Sequence, residues 1–191
     1  MKDTFAKAVR IATVPPVMVT ALIFILTFAC NGVVKNGVEA GAAIVCLGVL
    51  PVLAYPLQGL FPSWRSRGRE GQRKLAFLFS LIGYTLALLF GIAAKAGRAM
   101  MLVFWTYFIS ALLLTLCNAV IKVRASGHMC SVAVPMLLLV YFLDWRAAVP
   151  CVLLFGLVAW SSVVLKRHTT GEVVLGSCVG GFGFAAALML I

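Results

Sequence analysis

Apolar runs about 20 residues long recur along the whole of this chain, and a run of that length has few folds open to it. Crossing a hydrocarbon core of ~30 Å takes about 20 apolar residues as a helix. The 191 residues are 63% hydrophobic and only 11% charged, too little polar surface to solvate a globular domain. Inside lipid every backbone N–H and C=O must be satisfied within the protein, and the runs lack the two-residue alternation of barrel strands. The expected fold is therefore all-α, a single polytopic transmembrane bundle over residues 1–191. Seven spans are predicted, near 11–31, 41–61, 75–94, 99–121, 128–143, 147–165 and 172–191. The N-terminal MKDTFAKAVR has the charge order of a signal peptide. The apolar stretch after it is long for a signal, with no convincing cleavage site, so a retained first span is expected, bent near Pro15 and Pro16.

The net charge of +11 falls between the apolar runs. Membrane topology and anionic lipid headgroups account for it without a nucleic-acid partner. Sorted by the predicted spans, twelve of the sixteen Lys and Arg residues fall on the side of the N-terminus and four on the other. The positive-inside rule then predicts a cytoplasmic N-terminus and a C-terminus on the opposite side. The six cysteines form no C-x-x-C pair and read as small hydrophobes.

The span count also brings two polar stretches to one face, KVRASGHM (122–129) and LKRHTTGEV (165–173). They flank the hairpin of the fifth and sixth spans and carry the chain's two histidines, His128 and His168. In the first stretch Ser126 is a natural N-cap, with Gly127 and His128 in the first helical turn. A helix start with free N–H donors suits an anion, and Lys122 and Arg124 add full charges beside it. In the second, His168 and Glu172 stand four apart, on one face of a helix. A carboxylate on one imidazole nitrogen fixes the tautomer and leaves the other nitrogen as nucleophile or base. Lys166 and Arg167 add cationic charge. Each stretch also has a structural alternative: a capped helix with snorkelling cations in the first, and in the second a capping box in which Glu172 bonds back to the Thr169 backbone. Two histidines and one glutamate are too few ligands to favour zinc, so neither metal nor cofactor is expected. The combined site suits phosphate chemistry.

These residues resemble the signatures of the type 2 phosphatidic acid phosphatase family, a family of membrane lipid phosphatases. Its patterns are KxxxxxxRP, PSGH and SRxxxxxHxxxD on six helices. ASGH (125–128) is similar to the second, with Ala125 in place of proline, and HTTGE (168–172) to the end of the third, with Glu172 in place of aspartate. The resemblance covers 122–191 and makes 1–40 an extra N-terminal span and loop. It implies His168 as a nucleophile forming a phosphohistidine, Glu172 as its orienting group and His128 as proton donor to the leaving group. Ser126 and Gly127 would hold phosphate oxygens. The third signature's arginine falls on Ser162, and KxxxxxxRP is absent. Lys122, Arg124, Lys166 and Arg167 are expected to supply the missing charge. The implied activity is removal of phosphate from a lipid phosphate or polyprenyl diphosphate. The alternatives are a non-catalytic lipid-binding or transport scaffold and a phosphoryl or head-group transferase.

Two further features lie outside these stretches. The basic stretch FPSWRSRGREGQRK (61–74) reads as a topogenic loop that could also gather anionic lipid or cover the site. Gly176 and Gly180 form a G-x-x-x-G pattern, expected to pack within the bundle.

Overall fold

The computed structural model describes residues 2–60 and 62–191, with the side chains of residues 62, 63 and 69 outside the description. Among the described residues the secondary structure is helical, in accord with the expected all-α membrane bundle. We number the α-helices α1 (Lys2–Ala12), α2 (Pro15–Ala29), α3 (Gly37–Ala43), α4 (Leu50–Leu57), α5 (Pro62–Arg65), α6 (Gly68–Ala93), α7 (Arg98–Thr115), α8 (Gly127–Leu143), α9 (Ala148–Val164) and α10 (Thr170–Leu190). A π-helical turn, Ile44–Val49, fuses α3 to α4, and a second, Leu116–Val120, extends α7.

Five segments have the length and apolarity to cross a membrane, and α1 with α2 makes a sixth if that bent pair is one span. The seventh predicted span corresponds to α8, which is apolar but only 17 residues long. The expected bend in the first span is present. α1 and α2 meet at 55°, because Val14 is extended (φ −63°, ψ 151°) before the two prolines that open α2. The helical backbone also starts earlier than predicted, so Arg10 and Thr13 belong to a folded elbow at the bend.

The packing order closes a ring: α2 lies on α8, α8 on α10, α10 on α7, α7 on α6, and α6 on α4 and the π turn, which returns to α2. α9 stands outside this ring against α8 and is held from the far side by α1. The wall is thin where glycines let backbones touch. Gly176 lies on the Ser126 backbone, where a Cβ would come within 2.9 Å of Ser126 N and closer still to its carbonyl oxygen. Gly180 meets Ala133 and Val134 of α8, and Gly183 meets Ser110 of α7. The G-x-x-x-G pattern thus packs inside the bundle, as expected, and Gly181 of the same helix faces open space.

The ends of the bundle differ. At one end Lys35 Nζ donates to the Lys95 carbonyl and Arg98 to the carbonyl of Ile191. The other end gathers Arg10, Arg73, Arg124, Lys166 and Arg167 around one opening. Gly176→Ala should lower the stability of the detergent-solubilised protein by about 1–3 kcal/mol through overpacking against backbone. Gly181→Ala should leave it unchanged, and thermal unfolding of both variants checks the pair.

Candidate functional site

The site is built at the start of two helices that share a backbone bond. The Ser126 N–H donates to the Glu172 carbonyl at 2.9 Å, tying the entrance of α8 to that of α10. Ser126 caps α8, its Oγ accepting from the Met129 N–H at 3.3 Å, as the sequence predicts. The approach to it is held by Asn118, whose side chain bonds the Ala125 carbonyl and N–H, each at 3.3 Å. Thr169 caps α10 by accepting from the Glu172 N–H at 3.2 Å.

Glu172 decides between the two readings of LKRHTTGEV. In a reciprocal capping box its carboxylate would return to the Thr169 backbone. Instead one oxygen, Oε2, bonds His168 Nδ1 at 2.7 Å and the other, Oε1, pairs with Arg124 Nε at 3.4 Å. Only the Thr169 half of the box forms. The acid is therefore spent on the histidine and on the basic stretch before α8. A carboxylate accepts, so Nδ1 carries a proton and Nε2 is the nitrogen with the lone pair when the ring is neutral.

His128 is held differently. Its Nε2 lies 3.3 Å from Thr13 Oγ1 at the α1–α2 elbow. The Thr13 hydroxyl donates its own proton to the Val9 carbonyl at 2.9 Å. Its oxygen is thus the acceptor for His128, whose neutral ring carries its proton on Nε2. The two histidines have separate orienting partners, one from α10 and one from the N-terminal elbow.

Both histidines line one cavity of about 1060 Å³. Arg10, Arg73, Arg124, Lys166 and Arg167 line it with a single acid among the described residues, Glu70, and Gly127 forms part of its wall. The interior is bounded by Tyr84 of α6, Tyr107 and Ser110 of α7, and Cys130 and Val134 of α8. Of the predicted residues, His128, His168, Gly127, Arg124, Lys166 and Arg167 meet at this cavity. Glu172 lines the shallower pocket beside it, together with Arg124, Lys166, Arg167 and His168. Two predicted residues are not brought there. Lys122 is exposed in a left-handed turn (φ 61°) and lines neither space. Ser126 is fully buried and spends its hydroxyl on the cap, so its contribution is to position Gly127 and His128.

Sequence reasoning missed Arg10, Thr13 and Arg73. Arg10 donates to Ser162 Oγ at 3.2 Å, and Ser162 is fully buried. The Ser162 carbonyl in turn accepts from the Arg167 N–H at 3.1 Å and the His168 N–H at 3.4 Å. A guanidinium from α1 is thus anchored at the position where the family resemblance expects an arginine on α9. The sequence signal was only a cation at a proline-marked bend. Arg73 comes from the stretch read as a topogenic loop, part of which is the first turns of α6; Phe61 and the Arg69 side chain of that stretch lie outside the described residues. Its Nε is buried without a hydrogen-bond partner among the described residues, and its guanidinium lies 5.9 Å from the Phe77 ring centroid. Among the described residues no group of three His, Cys, Asp or Glu side chains could hold a metal ion.

Burial pushes the His168 imidazole below its ordinary value, and Arg10 and Arg124 push the same way, while the Glu172 bond partly opposes them. At neutral pH the ring is therefore neutral. No family model, curated protein or solved structure matches the chain.

The His168 ring should titrate below pH 6.5, since its charged form is the one disfavoured. Glu172→Gln removes the interaction that favours the imidazolium, so it should move the midpoint lower still. The histidine Cε1–H resonance followed by NMR in micelles reads both; a midpoint that rises in Glu172→Gln would contradict the arrangement.

Proposed function

We propose that the protein is a membrane-embedded lipid phosphatase acting through a phosphohistidine on His168. The observation that carries this reading is the Glu172–His168 bond. It holds Nδ1 and leaves Nε2 as the basic nitrogen of a histidine that lines a cation-rimmed cavity. Phosphoryl transfer needs positioning and charge stabilisation more than it needs further reacting groups. Arg10, Arg73, Arg124 and Lys166 supply like charges around one space, an arrangement that an anion relieves.

In this mechanism Nε2 of His168 attacks phosphorus and the bond from phosphorus to the lipid oxygen breaks. His128 takes the proton of the phosphate monoanion on its free Nδ1 and passes it to the leaving oxygen, while its Nε2–H stays on Thr13. Water activated by the same ring then cleaves the P–N bond, releasing inorganic phosphate and restoring His168. Arg10 holds the charge that the signature arginine would carry, with Ser162 fixing its guanidinium. The site faces the cytoplasm in this reading, by the excess of cations at its end of the bundle. The substrate is a lipid phosphate or diphosphate reached from the bilayer.

The test is release of phosphate from lipid phosphates by purified protein. His168→Ala should bring release to background, Glu172→Gln should lower it by about 10²-fold, and Arg10→Ala should lower it by a similar factor. Quenching the wild-type reaction in alkaline detergent should trap a base-stable phosphoprotein that acid then hydrolyses and that His168→Ala lacks. Undiminished turnover by a folded His168→Ala protein would refute the assignment.

A further inference from the structure

The inner half of the cavity contains polar groups that the phosphate chemistry does not use. Tyr107 and Ser110 of α7 are only 2% and 3% exposed, and both line the cavity. Among the described residues the Tyr107 hydroxyl has no hydrogen-bond partner, and Ser110 Oγ has none but the Cys130 thiol. The Cys130 thiol lies beside them but is a weak donor and acceptor. The neighbouring Tyr84 is different: it stacks edge-on against Tyr107 with ring centroids 5.4 Å apart, and Ser80 engages its hydroxyl. Two adjacent buried hydroxyls with at most one thiol to pair with are costly, and polar groups kept in such a place mark functional sites.

Their depth is set by the helices. Cys130 stands two residues beyond His128, about 3 Å of helix rise further into the bundle. Its carbonyl abuts Gly180 of α10, and Ser110 abuts Gly183, just under one turn along the same helix. Tyr107 lies one turn from Ser110 on α7, and Val134 continues the wall beyond. A ligand with its phosphate at the histidines would therefore place the atoms a few bonds below that phosphate against these hydroxyls.

We propose that Tyr107 and Ser110 form a second, neutral subsite that hydrogen-bonds an ester carbonyl of the bound lipid, so that the cavity selects acylated glycerol phosphates over isoprenoid phosphates. A hydroxyl pair needs an acceptor; an isoprenoid chain has none at that depth, and a fatty-acyl ester has its carbonyl there. The proposal rests on the phosphatase reading for where the phosphate sits, but its test does not require turnover.

The experiment measures equilibrium binding of three phosphonate analogues to the full-length protein in nanodiscs: ester-linked glycerol, ether-linked glycerol and isoprenoid. The wild type should bind the ester-linked compound about tenfold more tightly than the ether-linked one. Tyr107→Phe and Ser110→Ala should each reduce that ratio, and the double variant should bring it close to one while retaining phosphonate binding. Tyr107→Phe keeps the ring and its packing against Tyr84, so its effect reports the hydroxyl alone. Equal affinity of the wild type for ester and ether, tighter binding of the isoprenoid compound, or an ester preference that survives the double variant would overturn the proposal. If the ester preference holds while His168→Ala still releases phosphate, the phosphatase mechanism fails and the subsite stands.

Discussion

The hydrogen bond from the Ser126 N–H to the Glu172 carbonyl holds the two halves of the site in register. It joins residues far apart in the chain, at the first turns of α8 and α10, and needs the two helices to approach within backbone contact. Gly176 permits that approach, because any side chain there would meet the Ser126 backbone. Once the entrances are joined, Arg124 reaches Glu172, Glu172 holds His168, and Gly127 and His128 face the same cavity. A backbone bond buried in a membrane protein has no water to replace it, so this junction is rigid in a way that a surface contact is not.

The N-terminal elbow closes the site from the other side. α1 lies along α9 and ends in Arg10 and Thr13, one anchored on Ser162 and the other on His128. The bend at the two prolines that open α2 turns this short helix across the end of the bundle, so a segment far along the chain from both histidines becomes part of the cavity wall. In a lipid-facing protein such a contribution is economical: the cation comes from the interface, where charge is tolerated, and only its guanidinium is directed inward.

The cavity divides its chemistry by depth. Charged groups stand at the end nearest the entrances of α8 and α10, where Arg124 remains half-exposed. Neutral hydroxyls and apolar side chains line the interior, where a full charge would be costly. The division parallels an amphiphile with an anionic head, a polar linkage and a hydrocarbon tail.

The sequence by itself determined the helical membrane class, the bend at Pro15 and Pro16, the caps at Ser126 and Thr169, and the pairing of the two histidine-bearing stretches. These follow from run length, local backbone preference and alternation of sides, all of which act over a turn or a span. Tertiary structure alone decided that Glu172 serves His168 and Arg124 instead of closing its capping box, that Lys122 turns outward, and that Arg10, Thr13, Arg73, Tyr107 and Ser110 belong to the cavity. Each of those depends on which faces of separate helices meet. Two candidate partners for one carboxylate, or two candidate cations for one anion, look equivalent along the chain, and only the ring closure and the glycine contacts place one of them within hydrogen-bond reach.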